Sequence, residues 1–279
     1  MKKRTFLRFP NFIIKAVTLS YDDGVIYDKK LIDILDKYGL KSTFNISSGR
    51  YPKEEGGILL TKDQATNLYL NSTHEVAIHG AKHLALAEVP KEAGVKDVLT
   101  DRENLENQFG RIIKGMAYAN GSVDDDVIEM VKNCGVLYAR SCNSTNSFEI
   151  PTNWLKWEPT CHHNAKNLNE LVDKFLGITE VKNWYWSNSP KLFYLWGHSY
   201  EFNDNDNWNV IEDFAKKVGN REDIWYCTNG ELFDYVRAFD RLEFSVDGKI
   251  IKNDTNVDVY LCYYGKNILV EKCSVKKLV

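Results

Sequence analysis

Residues 16–24 of the chain read Ala16-Val17-Thr18-Leu19-Ser20-Tyr21-Asp22-Asp23-Gly24, and they give the first indication of the architecture. The run from Ala16 to Tyr21 is typical of a short, mostly apolar strand, and two adjacent carboxylates come directly after it. An Asp-Asp-Gly on its own is most often a solvated turn, because Asp and Gly are common turn formers. Its meaning therefore depends on which residues lie at the ends of the other predicted strands.

Histidines lie at the ends of two further predicted strands in the same way. His79 comes at the end of Val76-Ala77-Ile78, with His83 four residues later, and His198 comes directly after the run from Phe193 to Gly197. Polar side chains at the carboxyl ends of strands are typical of the catalytic face of a (β/α) barrel. We therefore expect the two carboxylates and the three histidines to lie close together.

Strands and helices alternate up to about residue 240, which predicts parallel strands with helices outside. The sequence is therefore assigned to the α/β class, with one barrel-like domain over residues 1–240. The predicted strands and helices are 16–21, 27–38, 41–46, 61–70, 76–78, 91–111, 122–135, 136–139, 168–176, 191–197, 208–218, 224–227 and 230–239.

Local signals define the ends and faces of several predicted helices. Thr61 and Gln64 match a capping box at the start of helix 61–70. Ser122 is predicted to cap the helix that begins after it, whose acidic first turn suits the helix dipole. The apolar face of helix 91–111 is predicted to consist of Leu99, Leu105 and Phe109.

The pattern changes at about Arg241. Short alternating runs are separated by turn sequences such as Asp247-Gly248 and Asn253-Asp254, which is typical of antiparallel strands without helices. Residues 241–279 are therefore predicted to form a small antiparallel β extension packed on the barrel. Two roles stay open for this extension: covering the edge of the barrel, or binding carbohydrate.

The polar residues at the predicted strand ends suit a mononuclear metal hydrolase. A catalytic metal takes about three protein ligands and keeps an open position for water, and the pKa of that water falls from ~15.7 to about 7. One Asp together with His79 and His83 would supply three ligands. The other Asp would then be available as a general base and His198 as a general acid.

The same residues resemble motifs of the polysaccharide deacetylase family, the NodB-homology carbohydrate esterases. Ser20-Tyr21-Asp22-Asp23-Gly24 is similar to the family's first motif, with Tyr in place of Phe. The segment from His79 to His83 matches its H-x-x-x-H motif, and Leu195-Trp196-Gly197-His198 resembles its fifth motif, an apolar strand that ends in a His. The likeness extends from about Val17 to about Phe239. It implies a distorted (β/α) barrel of the NodB-homology type, with the C-terminal β extension as an appendage.

The resemblance also implies a role for each of these residues. The metal would be bound by Asp23, His79 and His83. Asp22 would act as the general base toward the attacking water, and His198 would protonate the leaving amine or alcohol. The backbone N–H of Asn120 would donate a hydrogen bond to the developing oxyanion.

Two motifs of the family are altered or missing. The third motif corresponds to Met116–Gly121, where Ala117 occupies the position of the family's Arg. Arg140, at the end of a later predicted strand, would supply that charge from another direction; a plain surface Arg is the alternative. The fourth motif, an Asp-rich stretch, has no clear counterpart. The predicted substrate-binding residues are Tyr118, Asn120, Arg140 and Trp196.

Three further features allow more than one interpretation. The consecutive His162 and His163 either line the cleft or hold a second metal. Glu201 either fixes the tautomer of His198 or is a solvated side chain. A group of Trp side chains either stacks on sugar rings or fills the core. These are Trp154, Trp157, Trp184, Trp186 and Trp196.

Composition argues against several other classes of protein. Lys and Arg (36) nearly balance Asp and Glu (39), for a net charge of −3, and no basic run points to nucleic acid. The segment after Met1-Lys2-Lys3-Arg4 is interrupted by Arg8, Pro10 and Lys15, so it lacks the ~7 to 15 apolar residues of a signal peptide. No stretch approaches the ~18 apolar residues of a membrane span. The six cysteines form no CxxC pair and are expected to be reduced and mostly buried. We therefore expect a cytoplasmic enzyme.

The sequence thus predicts a metal-dependent hydrolase that removes N- or O-acetyl groups from a carbohydrate. Two alternatives stay open: a metal-dependent amidase that acts on a small nitrogenous compound, and an inactive carbohydrate-binding protein. One divalent transition metal is expected, with Zn²⁺ in first place and Co²⁺, Ni²⁺ or Fe²⁺ also compatible with the ligands. The pattern is compatible with amide or ester substrates and with any oligomeric state.

Overall fold

A computed structural model describes residues 4–183 and 186–278 of the chain. The strands are β1 (Thr5–Arg8), β2 (Lys15–Asp22), β3 (Ser42–Ile46), β4 (Glu75–Ile78), β5 (Gly115–Ala117), β6 (Tyr138–Arg140), β7 (Cys161–His162), β8 (Lys191–Gly197), β9 (Trp225–Tyr226), β10 (Glu243–Phe244), β11 (Ile250–Asn253), β12 (Val259–Tyr263), β13 (Lys266–Val270) and β14 (Ser274–Lys277). The α-helices are α1 (Asp28–Lys37), α2 (Lys62–Leu70), α3 (Lys91–Phe109), α4 (Asp125–Asn133), α5 (Leu168–Leu176), α6 (Ser199–Asp204), α7 (Asn209–Val218) and α8 (Asn229–Asp240).

Eight of the strands form one curled parallel sheet in the order β6-β5-β4-β3-β2-β8-β7, with β9 paired to the first half of β2. The two ends of this sheet meet at Trp157, just before β7. Its N–H donates to the carbonyl of Ala139, and its carbonyl accepts from the N–H of Ser141. The predicted α/β class and distorted (β/α) barrel are therefore confirmed. At the two ends of the sheet, the barrel is closed by the short bridge at Trp157 and not by a long pair of strands.

Strand β2 lies in the middle of the barrel, and all eight of its residues are buried. It pairs in parallel with β3 on one side and β8 on the other, so that Asp22 lies opposite Asn45 and Tyr21 lies opposite Gly197. Because β4 pairs with β3 in the same direction, His79 comes after its strand at the same edge. The register therefore brings the ends of the three motif-bearing strands together, as predicted.

The predicted strands and helices of the barrel are present, with most ends shifted by a few residues, but β5, α6 and β7 were not predicted. The capping box at Thr61 and Gln64 is confirmed. The predicted cap at Ser122 is wrong, because the side chain of Asp124 accepts the hydrogen bond from Val127 N–H at the start of α4. The Ser122 hydroxyl instead accepts from the N–H of Ala87.

The predicted apolar face of α3 is partly wrong. Leu105 and Phe109 are buried, but Leu99 is exposed, and Val98 takes its place in the core. The same buried face carries two carboxylates, Asp97 and Asp101. A helix with acidic residues on its inner face suggests that this face contacts something other than hydrophobic core.

The C-terminal extension consists of two small antiparallel sheets, β10-β11-β14 and β1-β12-β13. Strand β1, at the start of the chain, pairs with β12, so this sheet joins both ends of the chain. The extension packs on α8 through a core that includes Ile251, Val259 and Leu261 against Ala238. Strands β1 and β14 were not predicted. For β14 the reason is that the strand is almost wholly exposed and polar. The domain boundary at residue 240 stays a prediction.

Two expectations from composition can be compared with the structure. None of the six cysteines, all of which lie in the described part of the chain, forms a disulfide; four of them are buried, so the prediction of mostly buried cysteines is confirmed. Among the helices of the described residues, none combines the length and apolar character that crossing a membrane requires.

Candidate active site

A cleft of about 320 Å³ opens at the carboxyl ends of the central strands. All nine residues predicted for the site from the sequence line this cleft, together with Gly121, Cys142 and Tyr200. The cleft has two sides. The candidate metal ligands form one side, and the candidate acid forms the other, with Asp22 between them.

Asp23, His79 and His83 form a group that fits a metal ion. The Nε2 atoms of His79 and His83 lie 3.9 and 3.6 Å from the same Asp23 oxygen, Oδ1. Ligand atoms of a tetrahedral zinc at 2.0–2.1 Å are roughly 3.3 Å apart, so a small contraction would complete the site. The Nδ1 of His79 is 2.9 Å from the carbonyl of Ala117, which directs Nε2 toward the group. The buried Nε2 of His79 has no hydrogen-bond partner among the described residues, as expected of a nitrogen atom that is available to bind a metal.

The backbone is strained at two of these three candidate ligands. Asp23 has a φ of 82° and His83 a φ of 57°, both in the left-handed region that non-glycine residues rarely adopt. Such conformations cost about 1–3 kcal/mol each and persist where the surrounding structure enforces them. Here the N–H of Asp23 donates to the Asn45 carbonyl at 3.0 Å, and the N–H of His83 donates to the Gly80 carbonyl at 3.1 Å.

The two buried carboxylates of α3 hold the loop that carries His79 and His83. Asp101 accepts from the N–H groups of His79 and Ser48 at 2.9 and 2.7 Å, and Asp97 accepts from Lys82 N–H at 2.7 Å. Burial raises the pKa of Asp101 to about 7. The sequence does not reveal these contacts, because two acidic residues four apart on a polar helix are equally typical of a solvent-exposed helix face.

Asp22 is buried beside Arg140. The guanidinium donates to Oδ2 through Nη2, and the side-chain amide of Asn45 donates to Oδ1 at 2.8 Å. Burial by itself would raise the pKa of Asp22, but the charges of Arg140, His79 and His198, together with the hydrogen bond from Arg140, outweigh it and lower the pKa to about 2. The carboxylate is therefore held ionised without exposure to solvent.

Arg140 takes the place of the missing charge of the third motif. Arg140 on β6 is the register partner of Ala117 on the neighbouring strand β5. The guanidinium therefore comes from the strand next to the one that carries the third motif. Only 1% of the residue is exposed, so the alternative of a plain surface Arg is wrong. The guanidinium also lies 4.5 Å from the ring centre of Trp196, an arrangement that stabilises the cation.

His198 lies on the other side of Asp22, with Nε2 3.9 Å from Asp22 Oδ2. Its Nδ1 is 2.8 Å from Glu201 Oε1, so the alternative of a solvated Glu201 is wrong. Burial lowers the pKa of His198, but the carboxylates of Glu201 and Asp22 raise it more, and the net pKa is above the usual 6.5. The only sequence signal for the contact between His198 and Glu201 is their spacing of three residues at the start of α6. An exposed pair on a helix would have the same spacing.

His162 and His163 contact Glu201 and are not among the residues that line the cleft. Their Nε2 atoms lie 3.3 and 2.8 Å from Glu201 Oε2, within reach of a shared metal. However, the Nδ1 of His162 accepts from the N–H of Asn164, which places the proton on Nε2 and makes it a donor to Glu201. Burial lowers the pKa of His163 to about 4, so this ring is neutral at pH 7. The contacts therefore favour support of Glu201 over a second metal.

The remaining predicted residues form the walls of the cleft. Tyr118 is 1% exposed and its hydroxyl donates to the carbonyl of Leu155 at 2.7 Å, so it is a wall and not a free donor. Asn120 has a φ of 55° in a tight turn at the rim. Arg50, which the sequence analysis missed, reaches in from beside β3 to within 3.1 Å of Asp23 Oδ1.

The Trp side chains divide between core and surface. Trp154 and Trp157 pack edge to face against each other in a hydrophobic cluster, so they fill the core. Trp186 is 51% exposed, and Trp184 lies outside the described residues. Of the four described members of the Trp group named in the sequence analysis, Trp196 lines the candidate catalytic cleft.

Comparison with known proteins agrees with the fold and with the motifs. Residues 11–139 match the family model described as polysaccharide deacetylase, which includes the segments of Asp22, Asp23, His79 and His83. No curated protein sequence gives a significant match to the chain.

Several solved structures share the fold. The Xyl-CE4 domain of a multidomain xylanase from the hindgut metagenome of Trinervitermes trinervoides is 15% identical with a TM-score of 0.51, over 80% of this chain and 92% of that one. A family 4 carbohydrate esterase from Streptomyces lividans is 12% identical with a TM-score of 0.52, over 77% and 92%. The peptidoglycan deacetylase PdaC from Bacillus subtilis is 13% identical with a TM-score of 0.53, over 83% and 95%. At these identities the likeness shows a common fold. The matched segment is a little under half of the chain, and together with the shared fold it makes the chain similar to polysaccharide deacetylases.

Proposed function

We propose that the chain is a metal-dependent hydrolase that removes acetyl groups from a carbohydrate. The observation that carries this proposal is the position of Asp22. One of its oxygens, Oδ2, is 4.0 Å from His79 Nε2 and 3.9 Å from His198 Nε2, while Arg140 keeps the carboxylate ionised. A proton acceptor is thereby held between a candidate metal group and a candidate proton donor.

The proposed ligands of one divalent transition metal, with Zn²⁺ favoured, are Asp23, His79 and His83. When bound, the ion would supply Lewis acidity and lower the pKa of water from ~15.7 to about 7. Asp22 would accept the proton of the attacking water. Because its pKa is low, Asp22 is a weak base, and its value lies in being ionised and correctly placed over nearly the whole pH range.

His198 would protonate the leaving amine or alcohol through Nε2. Glu201, on Nδ1, fixes the ring orientation and stabilises the imidazolium, which is why the pKa of His198 is raised. A larger share of His198 is then protonated at neutral pH than for a free imidazole. On the wall of the cleft, the N–H of Asn120 would donate to the developing oxyanion, and Arg140 with Trp196 would contact the substrate.

The test is acetate release by metal-reconstituted protein from acetylated chitooligosaccharides, acetylxylan and small amides. We expect release from at least one acetylated carbohydrate, and release slower by about 10²–10⁴ from Asp22→Asn loaded with the same metal. Release from the small amides alone would replace this proposal with an amidase. Binding of the oligosaccharides without any acetate release would indicate an inactive carbohydrate-binding protein.

A further inference from the structure

The β extension contains a cleft of its own. It has a volume of about 470 Å³ and lies between the β10–β11 turn, the β12–β13 hairpin and strand β14. Its volume is within the range of ligand-binding pockets, roughly 300–1,000 Å³. It shares no residue with the catalytic cleft, so it is a separate feature of the molecule.

Positive charge surrounds this second cleft. Four lysines line it: Lys249, Lys266, Lys276 and Lys277. Within residues 4–183 and 186–278, none of the four forms a salt bridge, whereas Arg241 and Lys252 of the same extension pair with Asp254 and Glu243. The carboxylate in the cleft, Asp247, already accepts from the Ser245 hydroxyl at 2.7 Å and from a backbone N–H at 3.0 Å.

The charge of the extension differs from that of the whole chain. Residues 241–279 contain seven Lys and Arg against five Asp and Glu, whereas the whole chain has a net charge of −3. The extension therefore carries a small excess of positive charge, whereas the whole chain is slightly acidic. A local excess of one sign of charge attracts ligands of the opposite sign.

Two tyrosines form the aromatic part of the cleft. The rings of Tyr263 and Tyr264 are 4.7 Å apart at 86°, so their planes are oriented differently, and the guanidinium of Arg4 lies 5.2 Å from the centre of the Tyr264 ring. Tyr264 and Gly265 form the two-residue turn between β12 and β13, with φ of 49° and 77°. Asn, Asp or Gly is preferred at the first position of such a turn, because a bulky side chain is strained there. A strained aromatic residue at the wall of a cleft points to a role in binding.

We propose that this second cleft binds an anionic carbohydrate, whose sugar units carry carboxylate or phosphate groups. The lysines would pair with the anionic groups, and the tyrosine rings would stack on the apolar faces of the sugars. A free anion would need only the lysines, and a neutral sugar only the rings. The combination of both selects a charged glycan.

The test measures binding by the full chain to three polymers: polygalacturonate, a phosphorylated mannan and neutral xylan. We expect one or both of the charged polymers to bind, with affinity that falls as NaCl is raised, and xylan to bind at least tenfold more weakly. Equal binding of xylan would overturn the proposal, as would no binding of either charged polymer. Tighter binding of a single-stranded oligonucleotide, added as a competitor, would replace it with a nucleic-acid surface.

Two variants and a matched control locate the site. The double variant Lys276→Gln with Lys277→Gln should lose at least tenfold in affinity, whereas Lys252→Gln, which removes a paired lysine of the same extension, should bind as the original chain does. Tyr264→Asn should also lose affinity, but its thermal midpoint should be unchanged or higher, because Asn suits the turn. Acetate release from a small soluble substrate should be the same in all of these proteins, which separates this proposal from the proposed catalytic function. Unchanged affinity in both cleft variants would contradict the assignment.

Discussion

The two sides of the candidate catalytic cleft are built from different kinds of sequence. On the metal side, the candidate ligands lie within two short motifs, 20–24 and 79–83. Arg140 and Glu201, the charged partners of the proposed base and the proposed acid, come from positions outside the motifs that the sequence shares with the family. This difference suggests that groups which touch the reacting atoms are tied to a position, whereas a supporting charge can come from any neighbouring element that reaches the same point.

The first prediction separates metal binding from proton transfer and has the largest expected effect. His79→Ala and His83→Ala should each lose most of the bound metal and reduce acetate release to background. Asp22→Asn should keep the metal and lose activity by about 10²–10⁴, as is typical when a general base is removed. Metal analysis and acetate release on the same samples check this. Either His variant with one tight equivalent of metal and full activity would show that the ligand assignment is wrong.

The second prediction tests whether the supporting charge can be moved along the sheet. Arg140→Ala leaves Asp22 buried without its cation, which should cost about 3–5 kcal/mol of stability. The pKa of Asp22 should rise, so activity should be lost at a higher pH as the solution is acidified. Adding Ala117→Arg to this variant places a guanidinium on the register partner and should restore part of the activity.

Denaturant unfolding and the acid limb of the rate profile measure these two effects. Arg140→Lys serves as the control that retains a charge on the original strand. An unchanged acid limb in Arg140→Ala would mean that Arg140 does not set the protonation of Asp22.

The third prediction concerns Glu201. Because this carboxylate raises the pKa of His198, Glu201→Gln should lower it, and the alkaline limb of kcat/KM should move to lower pH. The loss should be roughly tenfold at pH 8 and smaller at pH 6, since a shift of one pKa unit changes the protonated fraction about tenfold above the pKa. Glu212→Gln, an exposed glutamate on α7, is the control. A uniform loss at every pH would indicate a purely structural role.

The fourth and smallest effect is expected at α3. Asp101→Asn keeps an acceptor for one of the two N–H groups that Asp101 binds, so the fold should persist with a looser His79 loop. Residues that orient metal ligands typically change metal affinity by about 10–100-fold when replaced. Competition with a chelator measures this, with the exposed Glu103→Gln on the same helix as the control. Equal metal affinity in both variants would remove Asp101 from the support of the site.

Most of the barrel could be predicted because its strands are apolar runs with clear ends, and the motifs lie directly after them. The sequence could not reveal which face of α3 is buried, since that face includes Asp97 and Asp101 and depends on the loop it contacts. The sequence also left open whether Arg140 and Glu201 are exposed or form buried ion pairs, because the residue type is the same in both cases. Strand β1 was missed for a related reason: its partner, β12, lies more than 250 residues away in the chain.

A titration of metal-stripped protein with Zn²⁺, with acetate release from its best acetylated carbohydrate followed throughout, tests the single catalytic metal site without any substitution. If Asp23, His79 and His83 form that site, activity should rise in proportion to added metal and reach its plateau at one equivalent per chain. His83→Ala, titrated in parallel, should show no such rise. Full activity before any metal is added, or no activity with one equivalent bound, would contradict a catalytic metal at these three residues.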